Sequence, residues 1–263
     1  MEYTVVLGVD KNHLVNLKTI LPNWYRHRPE LFRQSFVIFF DRESTTREEV
    51  LETVSTIGCA LHRLEIVSWP PPDVTYPEGT DKWSNQQRHK MLAGFVHVPP
   101  TVVRTPYWLK LDLDVLCTQT GAWVQPWWFT DYPAIVAPPW GYSKPIDQMD
   151  KLDEWANTFA NADHPPLCLP RGDGTTMLRH HRICSWIGFF NTKFSSFCSE
   201  AAIATCGLGQ IPVPSQDGYL WYMARRFGWQ IIRANIKATG WDVKANFEKA
   251  RKAIECLPEK SST

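Results

Sequence analysis

Two aspartates near the end of an apolar run could bind a metal ion. The run reads Y-W-L-K-L-D-L-D-V-L from Tyr107 to Leu116, and its carboxylates are Asp112 and Asp114. Side chains alternate between the faces of a strand, so Lys110, Asp112 and Asp114 are expected to share one face. Two such carboxylates repel each other, and Mg²⁺ or Mn²⁺ relieves the repulsion because these ions prefer carboxylate oxygens. The pattern predicts a metal site that also binds substrate phosphates, the alternative being an acidic strand end exposed to water.

An alternation of strands and helices is predicted to hold these carboxylates in place. Strands are predicted from apolar runs at 3–9, 35–40, 61–69 and 107–116, and helices from periodic spacing at 12–25, from 46 onward and at 81–96. This order predicts an α/β fold with a mostly parallel central sheet and helices on both faces. Ligands of such sheets bind at the carboxyl ends of the strands, where Asp41 also lies.

Three details of these elements can be compared with a structure. Pro22 is expected to break or kink the first helix. The helix from residue 46 is expected to begin at a capping box, with Thr45 or Thr46 as N-cap and Glu48 or Glu49 three residues later. The less regular second half predicts strands at 134–137, 182–191 and 229–234, and helices at 150–160 and 216–227.

The composition excludes several classes of protein. A net charge of +1 over 263 residues gives no strong field for nucleic acid or anionic membranes. The seven cysteines form no C-x-x-C pair, which argues against a zinc ribbon and fits a reducing cytoplasm. No apolar run reaches the length of about 18 to 20 residues that a transmembrane helix needs. We therefore expect a cytoplasmic protein without a transmembrane segment, nucleic-acid partner or signal peptide.

Four segments, in the expected order, resemble motifs of the nucleotide-sugar-dependent glycosyltransferases with the GT-A fold. The strand ending at Asp41 resembles the segment near the nucleoside, and the helix carrying Arg88 resembles the one before the metal strand. The segment L-K-L-D-L-D-V-L, which contains Asp112 and Asp114, is similar to the D-x-D motif of the family. S-Q-D-G-Y-L-W-Y-M-A-R-R-F-G resembles the later E-D-x-x-L…R-x-G helix, with Asp217 at the position of the catalytic base.

The resemblance implies a metal-dependent transfer of a sugar, most commonly from a UDP-sugar, to a carbohydrate or other hydroxyl acceptor. It implies one GT-A domain over residues 1–250, divided into a nucleotide- and metal-binding half, 1–118, and an acceptor-binding half, 119–250, with a tail at 251–263. Mn²⁺ or Mg²⁺ would be held by Asp112 and Asp114. The expected donor-binding residues are Asp41, Arg88, Lys110 and Asp112, and the expected catalytic base is Asp217.

The sequence departs from the family pattern at two positions that matter for mechanism. Gln216 replaces the Glu of the E-D pair, and no histidine follows His181, so a C-terminal histidine metal ligand is missing. Asp242 or water could take its place. The segment ending at Asn191 is slightly similar to a strand of retaining members, so inverting and retaining stereochemistry both stay open.

Simpler interpretations and other functions compete with this one. Asp217 alone could be a helix-capping residue. A basic cluster could cover the phosphates or be a solvated loop; it comprises Arg171, Arg179, His180, His181 and Arg182. The tryptophans 127, 128 and 140 could stack an acceptor sugar or pack in the core. The alternative functions are a phosphohydrolase of the haloacid-dehalogenase type, suggested by D-L-D-V, and a GT-A domain that binds sugars without turnover.

Overall fold

The computed structural model describes residues 1–74, 86–117, 123–138, 149–159, 187–211, 216–234, 236 and 239–240. The strands within these ranges are β1 (Tyr3–Val9), β2 (Ser35–Asp41), β3 (Arg63–Trp69), β4 (Tyr107–Leu111), β5 (Val115–Leu116), β6 (Ile135–Ala137), β7 (Ile187–Asn191), β8 (Ile231–Arg233) and β9 (Thr239–Gly240). The helices are α1 (Lys11–His27), α2 (Arg47–Thr56), α3 (Gln86–Val102), α4 (Met149–Phe159), α5 (Thr192–Cys206) and α6 (Gln216–Arg226). Short 3₁₀ turns lie at Pro29–Arg33 and Pro126–Phe129. Among the described residues, no helix combines the length and hydrophobicity needed to cross a membrane.

The central sheet has the strand order β3-β2-β1-β4-β7-β6-β8. Strands β1 to β4 pair in parallel, and so do β6 and β8. Strand β7 runs antiparallel to both β4 and β6. The predicted mostly parallel sheet is therefore confirmed, with one reversed strand joining its two halves.

Helices cover both faces of this sheet, as the alternation predicts. Buried side chains of α1 and α2, such as Leu17 and Val50, pack on one face together with Val5 and Leu7 of β1. Helices α3, α5 and α6 pack on the other face, where Val6 contributes to a second cluster. Because both faces are covered, β1, β2 and β4 are apolar along most of their length.

Helix α3 approaches the sheet closely because glycine occupies both sides of one aromatic ring. The fully buried ring of Phe39 lies between Gly8 of β1 and Gly94 of α3. A Cβ atom at Gly94 would lie 2.4 Å from Phe39 Cε2, and one at Gly8 would lie 2.6 Å from Phe39 Cζ. The two glycines therefore set the depth at which α3 packs on the sheet.

The structure corrects three expectations about helices. Helix α1 is not broken at Pro22 and runs from Lys11 to His27, because Leu21 and Trp24 are fully buried against the core and packing outweighs the lost hydrogen bond. Helix α3 runs to Val102 and so beyond the predicted end at 96. Helix α5 was not predicted. The capping box is confirmed at Thr46 and Glu49, which exchange hydrogen bonds of 3.2 and 2.8 Å.

The second half agrees with the sequence in outline. Strands β6 and β8 and helices α4 and α6 lie within about two residues of their predicted bounds. Gly228 has a φ of 71°, a conformation that suits the end of α6, as expected. The predicted strand at 182–191 is described only from Ile187 onward. The division into one domain with two functional halves stays a prediction.

Candidate functional site

Four carboxylates lie together at the carboxyl edge of the parallel strands. Strands β1 and β2 are level there, because Val9 pairs with Phe40. Strand β4 is aligned with β1 through the pair Val6 and Lys110. The carboxylates at or just after the ends of these three neighbouring strands are Asp10, Asp41, Asp112 and Asp114. Such an edge is where ligands bind in open α/β sheets.

Asp112 and Asp114 lie in a turn rather than in a continuous strand. Strand β4 ends at Leu111, and the turn is closed by a hydrogen bond of 3.2 Å from Val115 N–H to the Asp112 carbonyl. Leu113, between the two aspartates, is 3% exposed and anchors the turn in the core. The expected strand from 107 to 116 is thus interrupted where its chemistry begins. The turn holds both carboxylates at the mouth of a rigid strand.

A buried lysine compensates part of this negative charge. Lys110 Nζ donates a hydrogen bond of 2.5 Å to Asp112 Oδ1 and lies 4.4 Å from the centroid of the Phe95 ring. Burial nevertheless raises the pKa of Asp112, against the lowering effect of Lys110. The negative charge of Asp217 raises the pKa of Asp112 further, so Asp217 lies near Asp112. The sequence-predicted donor, metal and acceptor residues Lys110, Asp112 and Asp217 are therefore brought together.

Asp114 is the least compensated carboxylate of the site. Burial and the negative charge of Asp112 raise its pKa from an ordinary value of 3.8 to about 7. Its Oδ1 is buried and has no hydrogen-bond partner among the described residues. A buried oxygen without a donor is costly, and a bound cation would remove that cost.

The residues present fit a divalent metal ion of the Mg²⁺ or Mn²⁺ type. Both ions accept carboxylate oxygens, and Mg²⁺ sites commonly use one or two carboxylates plus substrate phosphates and water. Within the described ranges, no cluster of three or more His, Cys, Asp or Glu side chains could hold a metal. The protein's described contribution is thus the pair Asp112 and Asp114. The candidate third ligand Asp242 lies outside the described residues.

Asp10 and His13 form part of the site, although the sequence did not single them out. Asp10 is the N-cap of α1, and its Oδ1 accepts hydrogen bonds from the His13 backbone N–H at 2.8 Å and from the ring Nδ1 at 2.7 Å. The hydrogen bond to Asp10 raises the pKa of His13, and the charges of Asp10, Asp114 and Asp112 add to this against the effect of burial. The imidazole therefore faces the acidic turn. The spacing D-x-x-H at the end of a predicted strand was the available signal.

Asp41 lies at the predicted edge but has no exposed surface. Its Oδ1 pairs with Lys90 Nζ at 2.8 Å, and its Oδ2 accepts a hydrogen bond of 2.5 Å from Ser44 Oγ. Lys90 also pairs with Glu43 at 2.7 Å and is itself 2% exposed. Ser44 Oγ in turn accepts a hydrogen bond of 3.4 Å from Lys11 N–H. Asp41 thus ties the loop after β2 to α3 and to the start of α1, and a direct contact with a nucleoside would require this loop to move.

The start of α6 lies near the acidic turn. Asp217 lies in its first turn, and Gln216 before it is fully buried. Neither the Oε1 nor the Nε2 atom of Gln216 has a hydrogen-bond partner among the described residues. Because Gln216 has no exposed surface, a ligand that enters beside Asp217 would reach this amide only after a local rearrangement. The sequence identified Gln216 only as a departure from an E-D pair.

Several predicted residues are not brought to the site or lie outside the described residues. Arg88 belongs to α3, but its side chain is outside the description, as are Trp140 and the whole basic cluster between 171 and 182. Trp128 is 4% exposed and buried in the core. Trp127 and Trp128 belong to a 3₁₀ turn whose Phe129 packs on Tyr107, with ring centroids 4.8 Å apart. Tyr107 begins β4, so this turn is one strand length, about 16 Å, from the acidic turn.

Comparisons with known proteins identify the fold and no close relative. No protein-family model matches the sequence, and no curated protein matches it. Core-mannan synthase A (CmsA/Ktr4) from Aspergillus fumigatus, in its Mn/GDP form, matches with a TM-score of 0.63 and 10% identity over 88% of this chain and 72% of that chain. The galactosyltransferase LgtC, in complex with donor and acceptor sugar analogues, matches with a TM-score of 0.55 and 11% identity over 97% of this chain and 98% of that chain.

A third solved structure gives the same result. The mannosyltransferase Ktr4p from S. cerevisiae, in complex with GDP, matches with a TM-score of 0.56 and 13% identity over 86% of this chain and 66% of that chain. Identities this low show the fold alone. The seven-stranded sheet, its flanking helices and these three matches establish that the chain has the GT-A fold.

Proposed function

We propose that this protein is a glycosyltransferase that moves a sugar from a nucleoside-diphosphate sugar to an acceptor hydroxyl, with Mn²⁺ or Mg²⁺ as cofactor. The observation that carries the proposal is the acidic turn at the carboxyl edge of a GT-A sheet. There Asp112 and Asp114 are held side by side, and Asp114 Oδ1 is buried with no hydrogen-bond partner among the described residues. The arrangement is costly for the protein alone and suits a bound metal–diphosphate.

The metal-binding role is assigned to Asp112 and Asp114. When bound, the ion would act as a Lewis acid on the leaving diphosphate, where negative charge develops during transfer. Leu113 and strand β4 keep the two carboxylates from separating, so the site is formed before the ligand arrives.

The donor-binding role is divided between direct contacts and positioning. His13, half exposed and raised in pKa by Asp10, can donate a hydrogen bond or a positive charge to the nucleotide. Arg88 is retained as a phosphate contact from its place on α3. Asp41, being fully buried, contributes by holding the loop after β2 in place.

The acceptor-side role is assigned to the start of α6. Asp217 lies near Asp112, which supports a role as the base that accepts the proton lost by an acceptor hydroxyl during transfer. Gln216 can hydrogen-bond the donor sugar through its buried amide. A catalytic base at Asp217 favours inversion of the sugar's configuration, whereas a principal role of Gln216 at the sugar would favour retention. The kinetics of variants at Asp217 and at Gln216 would separate the two mechanisms.

The donor is proposed to be a UDP-sugar or a GDP-sugar. UDP is the commonest donor nucleotide among enzymes that the sequence resembles, whereas two of the matched structures were determined with GDP. A phosphohydrolase is less favoured, because the acidic turn follows the fourth strand of the chain and the fold is GT-A. A sugar-binding domain without turnover shares the fold, and only an activity measurement separates it from an enzyme.

A panel of nucleoside diphosphates tests the proposal directly. The melting temperature is measured with UDP, GDP, ADP and CDP, each with Mn²⁺, with Mg²⁺ and with a chelator. One nucleotide should stabilise the protein only when metal is present, by about 2.7 kcal/mol at 100 times its Kd. The same conditions without nucleotide are the control. Absence of any metal-dependent stabilisation across the panel would refute a donor site at the acidic turn.

A further inference from the structure

Lys110 is buried beneath the proposed metal site and belongs to the same strand as the acidic turn. It is 1% exposed, and its Nζ lies 2.5 Å from Asp112 Oδ1. It is enclosed by the ring of Phe95 from α3 and lies level with Val6 of β1 and Gly188 of β7 in the sheet. Its ammonium group is therefore held close to the carboxylates by the core of the protein.

We propose that Lys110 makes metal binding depend on the nucleotide, an inference that rests on the proposed function. The ammonium group occupies one oxygen of Asp112 and adds a positive charge beside the position of the ion. A divalent cation that arrives alone is repelled by this charge and competes with it for Asp112. A diphosphate is attracted by the same charge and also contributes oxygen ligands to the ion. Lys110 thus weakens binding of the free ion and favours joint binding of ion and nucleotide.

The charges of the site give the direction of the effect. Asp112, Asp114 and Lys110 together carry a charge no more negative than −1, which is a weak attraction for a divalent ion. A nucleoside diphosphate adds its own negative charge at the same place, so the ion then meets a strongly negative site. Removing one unit charge about 4 to 5 Å from a divalent ion changes affinity by roughly 10- to 100-fold, even at a high effective dielectric constant.

A purely structural role for Lys110 predicts a different result. If Lys110 only neutralised a buried carboxylate, its removal would lower stability and weaken or leave unchanged the binding of Mn²⁺. The proposed role predicts tighter binding of free Mn²⁺. The sign of the change in metal affinity therefore separates the two roles.

The test measures free Mn²⁺ by its electron paramagnetic resonance signal during titration of the full chain. Wild-type protein is compared with Lys110→Gln, which keeps a hydrogen-bond donor to Asp112 and removes the charge, and with Lys110→Met, which removes both. Each is titrated with and without the nucleotide that the panel identifies. In Lys110→Gln the Kd for Mn²⁺ alone should fall 10- to 100-fold, and the enhancement by nucleotide should shrink accordingly.

The matched control is Lys90→Met. Lys90 is a second buried lysine at the same edge, but its partners are Asp41 and Glu43 rather than Asp112. Its removal should leave the Kd for Mn²⁺ alone within about twofold of wild type, because Lys90 pairs with Asp41 and Glu43 and its loss frees no oxygen of a proposed metal ligand. A general effect of removing buried positive charge would instead appear in both variants.

The possible outcomes are distinguishable. If wild-type protein binds Mn²⁺ neither alone nor with any nucleotide, the proposed function fails. If wild-type protein binds Mn²⁺ with nucleotide but Lys110→Gln binds free Mn²⁺ no more tightly, the role of Lys110 is wrong and the function stands. If neither Lys110 variant folds, wild-type titrations still decide, because tight nucleotide-independent binding of Mn²⁺ would overturn the proposal.

Discussion

The substitution Asp114→Asn should stabilise the metal-free protein while destroying the proposed metal site. In the folded state the pKa of Asp114 is raised from 3.8 to about 7, chiefly by burial and then by the charge of Asp112. The difference is about three pKa units, and each corresponds to 1.36 kcal/mol, which gives an upper limit of about 4 kcal/mol. Because the side chain is only partly buried, we expect about 1 to 3 kcal/mol.

The sign of the effect depends on pH. A carboxyl group with a raised folded-state pKa binds more protons in the folded than in the unfolded chain between about pH 4 and 7. The contribution of the protonated Asp114 side chain to the free energy of unfolding is complete below about pH 4 and is lost as the pH rises through about 7. The wild-type protein in chelator should therefore lose stability across this window, and Asp114→Asn should lose less. At pH 8 the variant should melt roughly 3 to 10 °C higher than wild type.

Metal and nucleotide should reverse this order. Wild-type protein then gains binding energy that the variant cannot gain, so the variant becomes the less stable of the two. Differential scanning calorimetry gives the melting temperature of each protein under four conditions. These are pH 5 and pH 8, each with chelator and with Mn²⁺ plus nucleotide. Asp131→Asn, at an exposed position in a turn, is the control for loss of one negative charge. Equal melting temperatures of wild type and Asp114→Asn in chelator at pH 8 would refute the electrostatic strain inferred here.

Two further substitutions test other parts of the structure. Asp217→Asn should lower kcat roughly 10²- to 10⁴-fold with unchanged calorimetric affinity for the nucleotide, since the role proposed for Asp217 is on the acceptor. Unchanged kcat would leave Asp217 only a helix-capping role, because Asn caps about as well as Asp. Gly94→Ala should destabilise the fold by about 1 to 3 kcal/mol in urea unfolding, because its Cβ would lie 2.4 Å from the enclosed ring of Phe39. The intrinsic helix preference of Ala, about 1 kcal/mol, acts in the opposite direction and offsets only part of that cost. A Gly94→Ala protein more stable than wild type would show that the Phe39 ring shifts to accommodate the added methyl group.

The sequence predicted the parallel half of the sheet well because burial on both faces leaves a simple pattern. Strands covered by helices on both sides are apolar throughout, and the runs ending at Val9, Phe40 and Leu111 have this character. Charged residues at the ends of such runs are conspicuous, so Asp41, Asp112 and the metal hypothesis followed directly.

The residues that complete the site were less visible because their role depends on contacts between distant parts of the chain. His13 is an ordinary residue of an amphipathic helix until the register of β1 and β4 places it beside the acidic turn. Lys90 is separated from its partner Asp41 by 49 positions and reaches it only because α3 packs against β1 and β2. Periodicity predicts which elements exist, but not which polar side chains meet across them.

The errors in helix prediction have local physical causes. Pro22 is unfavourable in a helix by its own chemistry, yet the fully buried Leu21 and Trp24 hold α1 continuous on the sheet. The interior of α5 contains small residues and serines, with a weak difference between its faces, so its periodicity gave little signal. Its N-cap at Asn191, which accepts hydrogen bonds from the N–H groups of Lys193 and Phe194, was a readable start that the sequence interpretation passed over.

The charge arrangement of the edge explains why Asp114, of the two proposed metal ligands, has the greater need of a bound cation. Three of the four carboxylates each pair with a cationic or titratable side chain of the same chain, in the pairs Asp10–His13, Asp41–Lys90 and Asp112–Lys110. The fourth, Asp114, has a buried oxygen with no hydrogen-bond partner among the described residues, and burial and the charge of Asp112 raise its pKa to about 7. The protein thus neutralises the edge except where a ligand must supply positive charge. Substitution at Asp114 should therefore gain stability and lose binding. Removing Lys90 or Lys110 instead leaves the buried Asp41 or the partly buried Asp112 without its cation and should lower stability.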